Sequence, residues 1–148
     1  MQTLKRYNIK TLKQYNLMQT LKRYSAPLLR IAMSLVFIYF GFKQIISPAD
    51  WTGFVPDIAL SFGISALNIV IINSLVELIF GIFMLIGLFT RVSSALLTIH
   101  LLVISLSIGF NPLGIRDFGL TIATLAVFLN GPDDFCLDKR YFKAINLN

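Results

Sequence analysis

The sequence predicts an all-α polytopic membrane protein, a bundle of four transmembrane helices, and three observations predict it. The chain of 148 residues is 14% charged and 56% hydrophobic, whereas soluble domains carry roughly 25% charged residues. Four apolar stretches, at about residues 26–47, 68–88, 92–110 and 116–130, take up most of the chain. A helix needs roughly 20 mostly apolar residues to cross a hydrocarbon core about 30 Å thick. Three stretches meet that length and the fourth is marginal. In lipid the backbone must satisfy its own hydrogen bonds, which helices do and the open strands of so short a chain could not.

Residues 1–25 precede the first stretch as a basic tail, and residues 26–148 hold the four spans with no room for a soluble domain. The tail contains a repeat: the heptapeptide from Met1 to Tyr7 recurs from Met18 to Tyr24. One reading is a basic helix resting on anionic headgroups. The other, favoured for residues 1–17, is a duplication in which Met18 is the original start and the extra copy is solvated. The run from Ile31 to Phe42 has the length of a signal-peptide core. Lys43 and Gln44 follow it rather than a small-residue cleavage site, so an uncleaved first span is expected.

Lys5, Arg6, Lys10, Lys13, Lys22 and Arg23 precede the first span, and Lys139, Arg140 and Lys143 follow the last. Basic residues concentrate on cytoplasmic flanks, which puts both termini in the cytoplasm of a cell-membrane protein. Arg91 then falls inside as an orientation charge. The connection from Pro48 to Leu67, with Asp50, Asp57 and no basic residue, falls outside. Trp51 and Phe54 suit an interfacial aromatic belt there. Pro56-Asp57 can begin a short helix along that surface, and Asn111 to Gly114 reads as a turn.

The same distribution of charge argues against nucleic acid as a partner. A single cysteine, Cys136, excludes an internal disulfide, and one Cys with one His cannot close a zinc site. Haem held by two His of one chain is excluded likewise. Any redox chemistry therefore needs a diffusible organic carrier or a partner protein.

Charged and polar groups at membrane depth are costly and usually face the bundle interior. Helical spacing sorts them into one stripe per span. The stripes are Arg30, Ser34, Gly41 and Gln44; Asn73, Glu77 and Gly81; Ser93, His100 and Ser107; and Asp117, Thr121 and Thr124. Ser105 with Gly109 and Gly119 with Ala123 read as close-packing surfaces, and Lys43 as a cation snorkelling to the interface. Glu77 stands apart, because a carboxylate at mid-depth must find a cation or stay protonated. Arg30 and His100 are its expected partners, in a structural ion pair or in a proton-handling or ligand-binding site.

The segments Arg30 to Phe37, Gly41-Phe42-Lys43, Trp51 to Pro56, Glu77 to Gly81, Gly87 to Arg91, Arg116 to Gly119, Gly131-Pro132 and Leu137-Asp138 stand in an order and spacing that resembles the DoxX family of small four-helix membrane proteins. The match runs over residues 28–138. Where the family's tail usually reads Ser-Leu-Asp, this chain has Cys136 before Leu137-Asp138, a thiol read as a neutral swap. The resemblance implies a four-helix fold and a role beside redox enzymes at the membrane, with a membrane quinone as the cofactor and none bound covalently. On that reading Glu77 and His100 are the catalytic pair. Arg30, Gly81, Arg116 and Asp117 hold the quinone, and no metal is bound. Expected partners are the bilayer and a redox partner protein, with homo-oligomer formation left open. A non-catalytic scaffold for a redox or secreted enzyme is the alternative. A small-solute transporter subunit fits the stripes but lacks a broken-helix or inverted-repeat signal.

Overall fold

The computed structural model describes residues 2–139. Five helices account for most of them: α1 (Gln2–Ile46), α2 (Asp57–Leu60), α3 (Ala66–Ile86), α4 (Thr90–Ile108) and α5 (Pro112–Asn130). A 3-10 helix, Pro48–Phe54, links α1 to α2. The described residues form no strand, and α1, α3, α4 and α5 are each long and apolar enough to span a membrane. The chain is thus an all-α, four-helix, multi-pass membrane protein.

The spans begin and end where local chemistry stops a helix. Ser65 accepts a bond from the Asn68 amide and starts α3. Gly87, left-handed at φ 73°, ends it, with the Leu88 amide returning to the Phe83 carbonyl. Asn111 accepts from the amides of Leu113 and Gly114 ahead of Pro112, so α5 starts earlier than the apolar stretch at 116 and reaches 19 residues. At about 1.5 Å per residue that is close to 30 Å, and the marginal fourth span becomes a full one.

Helix α1 runs unbroken through Ser25 and Pro27, so residues 2–25 continue the first spanning helix. Between 11 and 25 the side chains are exposed. Arg140 and Lys143 lie outside the described residues.

Helix α1 packs chiefly on α3, and α4 chiefly on α5; the two pairs meet less extensively. Backbone approach explains the first pair. A Cβ on Gly41 would sit 2.9 Å from the Ser74 carbonyl, and one on Gly81 3.2 Å from the Phe37 Cβ. In the second pair Ser105 donates to the Gly114 carbonyl at 3.0 Å, and a Cβ on Gly114 would collide with the Gly109 carbonyl. Gly119 makes no such approach, which corrects the close-packing role expected of it: a Cβ there meets nothing within 4 Å. Met33, Phe37, Met84, Leu97, Leu101 and Val127 form the core between the pairs.

The segment after α5 ties the terminal end of the bundle together. Asp133 pairs with Arg30 of α1 at 2.7 Å, both nearly fully buried. Arg30 also donates to the carbonyls of Met84 and Leu85 at 2.8 and 2.6 Å, at the negative end of α3. Asp138 accepts from the amides of Phe89 and Thr90, each at 2.8 Å, and so caps α4 from a distance of 48 residues in sequence. Phe89 needs that support, since a non-glycine residue at φ 49° costs about 1–3 kcal/mol. Cys136 is fully buried against Gly87.

Candidate functional site

At the end away from the termini, α1, α3, α4 and α5 enclose a cavity of about 540 Å³. Its walls are mainly apolar and aromatic, with Phe37, Phe40, Trp51 and Leu101 among them. Phe40 meets Trp51 edge-on at 5.9 Å, and Trp51 lies 6.1 Å from Phe54, so the 3-10 helix covers this end of the cavity with aromatic rings. Asn73, Glu77 and Gln44 are polar residues that α3 and α1 add to its lining.

Glu77 lies near the middle of α3 and is 4% exposed. Its Oε2 accepts from the Gln44 amide at 2.9 Å. Asn73 in turn donates to the Gln44 carbonyl oxygen at 3.1 Å. The Glu77 Oε1 lies 3.4 Å from His100 Nε2. Three helices thus converge on one carboxyl group, and Asn73 and Glu77 share a face of α3 because they are four residues apart. His100 faces a second, smaller groove of about 280 Å³, lined by Ala59, Phe62, Ile72 and Val76. The Glu77–His100 contact stands between the two spaces.

Of the two cations expected beside Glu77, the structure brings up only His100. Arg30 is committed to Asp133 and does not line the cavity. Gly81 is occupied in packing against Phe37 and Ile38 and does not line it either. Arg116 and Asp117 do. Their side chains pair at 2.8 Å, and the Arg116 guanidinium stands 5.4 Å from the centre of the Phe40 ring, within cation–π range. Lys43, read as a snorkelling cation, is exposed on the cavity rim.

Sequence reasoning placed Gln44 on the right stripe but gave it no role, and it passed over Phe40 and Asp133. A signal existed for Gln44, whose uncharged amide within an apolar span needs a partner on a neighbouring helix. Asp133 offered none, because it lies more than 100 residues from Arg30. The interior stripes hold for Arg30, Ser34, Gln44, Glu77, Asp117, Thr121 and Thr124, all buried. Ser107 leaves its stripe and bonds the Val103 carbonyl on the exposed side.

Outside the spans, burial raises the Cys136 thiol above its ordinary pKa. Thr90 Oγ1 donates to its sulfur at 3.6 Å. A buried, protonated thiol is a packing group and not a nucleophile. Burial would raise Asp133 as well. The Arg30 bond, the Phe135 amide and the guanidinium charge outweigh it and hold that carboxyl below its ordinary 3.8.

Comparison with known proteins adds one positive result: the family model for DoxX matches residues 26–109. No curated protein and no solved structure matches the chain.

Proposed function

The chain belongs to the DoxX family of membrane proteins, and from that premise we propose that it is a quinone-linked, redox-associated subunit of the cell membrane. The observation that carries the proposal is a buried carboxyl, Glu77, held by an amide and an imidazole at the wall of an aromatic cavity. The residues fit a quinone head. The volume of about 540 Å³ lies within the roughly 300–1,000 Å³ of small-molecule sites, which are mostly apolar with a few convergent polar groups. Among the lining residues Lys43 and Arg116 balance Asp50 and Asp117, with Arg116 paired directly to Asp117, a balance of charge that suits a neutral ring better than an anion.

A bound quinone would supply ring oxygens that take up protons as electrons arrive from a partner redox protein. The Glu77 carboxyl, at the cavity wall, stands where a general acid would deliver a proton to the ring. His100 contacts the other carboxyl oxygen and restores that proton. Gln44, steadied by Asn73, fixes the carboxyl plane through Oε2. Arg116, held by Asp117 and stacked on Phe40, orients a carbonyl at the far wall, and the aromatic rings exclude water. The basic flanks favour cytoplasmic termini, an orientation that puts the cavity in the outer half of the membrane.

The test compares wild type with Glu77→Gln and Glu77→Ala for yield in detergent and for quinone extracted from the same preparations. A proton-handling site predicts Glu77→Gln protein in normal yield that has lost its quinone or its quinone-dependent activity. Loss of folded protein in both variants would make Glu77 a structural partner of His100 and leave a scaffold role. Normal yield, quinone content and activity in Glu77→Gln would refute the assignment.

A further inference from the structure

The cavity has four helical walls but a side open to lipid at only one seam. Among its lining residues on the spans, those with exposed side chains are Tyr39 and Lys43 of α1 and Leu113 and Arg116 of α5. None is on α3 or α4, whose lining residues are buried or half-buried. The seams α1–α3 and α4–α5 are closed by backbone approach at Gly41, Gly81 and Gly114. The α3–α4 seam is crossed by the contact between Glu77 and His100. Aromatic residues of the 3-10 helix cover the end. In a bilayer, an exposed side chain on a spanning helix faces acyl chains. Tyr39 and Leu113, 57% and 39% exposed, line the cavity on its open side, with Leu113 in the first turn of α5.

We infer that the cavity is loaded from the bilayer through a portal between α1 and α5, and that its ligand is an amphiphile whose ring head passes inside while its apolar chain stays in the lipid. Phe40 stands at this portal, with Tyr39 edge-on at 5.4 Å on one side and the Arg116 guanidinium at 5.4 Å on the other. A rotation of the Phe40 ring and release of Arg116 towards the interface clear the path without separating helices. A water-soluble solute gains nothing from such a route. This inference rests on the quinone reading of the cavity and adds where the chain of the quinone lies.

Trp51 is the one tryptophan in the sequence and lines the cavity, so a quinone bound there quenches its fluorescence. The protein in lipid nanodiscs is mixed with a methoxybenzoquinone bearing a ten-carbon chain and, separately, with the same ring without a chain. Wild type should be quenched by both. Leu113→Phe narrows the portal at an exposed position and should slow quenching by both probes about tenfold, since both rings pass the same seam, while leaving the final extent of quenching unchanged. Gly119→Leu, on α5 but away from the cavity, should change neither. No quenching of wild type by either probe would overturn the quinone reading and this inference with it. Quenching by both probes at rates that Leu113→Phe leaves unchanged would overturn the portal alone. A lowered final extent of quenching in Leu113→Phe would also overturn it, because Leu113 would then shape the cavity itself.

Discussion

Removing the carboxylate of Asp133 should destabilise the bundle from a position beyond its last span. Arg30 is 3% exposed and makes four polar contacts: two to Asp133, at 2.7 and 3.4 Å, and two to the carbonyls of Met84 and Leu85. In Asp133→Ala the guanidinium keeps the carbonyls but loses its counter-charge while still buried. Breaking one side of such a pair costs about 3–5 kcal/mol. Asp133→Asn keeps one acceptor and the shape and should cost less. The double variant Arg30→Met/Asp133→Leu removes both charges and should recover most of the loss, since an apolar pair of similar volume often matches a buried ion pair. Thermal unfolding of the detergent-solubilised protein, followed by the monodisperse fraction remaining, measures the series. The lowered pKa of Asp133 sets the pH dependence. A depressed carboxylate contributes stability at all pH above its unfolded value, near 3.8, and loses it as pH falls through the lower folded value. The gap between wild type and Asp133→Ala should therefore persist from neutral pH to about pH 4 and close below it. A double variant no more stable than Asp133→Ala, or a gap that opens in acid, would refute the reasoning.

Three further outcomes are expected. Cys136, fully buried beneath Gly87 and Thr90, should resist a maleimide in the folded protein and react once it is unfolded; rapid labelling of the native state would place the thiol on the surface. A chain starting at Met18 should insert and accumulate normally, because the start of α1 meets the C-terminal segment at Arg23 and Tyr24, and degradation of the shortened chain would make the first seventeen residues part of the fold. With Cys136→Ser as background, Thr52→Cys and Phe110→Cys should be labelled from outside intact cells; labelling only after permeabilisation would invert the orientation.

The sequence by itself determined the solvent of this protein and the number of its spans. Hydrocarbon forces each apolar stretch into a helix, and the 3.6-residue period then sorts Arg30 with Gln44 and Asn73 with Glu77 onto inward faces. The special role of Glu77 was legible for the same reason, since a mid-depth carboxylate must be satisfied by something. Which group satisfies it was decided only by tertiary structure. Periodicity gives the angle of a residue around its own axis but neither the height at which helices meet nor the neighbour each one takes. Glu77 and His100 both lie near the middle of their helices and meet. Arg30 lies at the terminal end, where the chain returns after α5 and Asp133 reaches it. Asp138 at the start of α4 is the same kind of contact, a charge delivered across 48 residues to amides that their own sequence leaves uncapped. The cavity was likewise beyond the sequence. It exists because glycines draw α1 to α3 and α5 to α4, leaving the space between the two pairs for aromatic side chains to line.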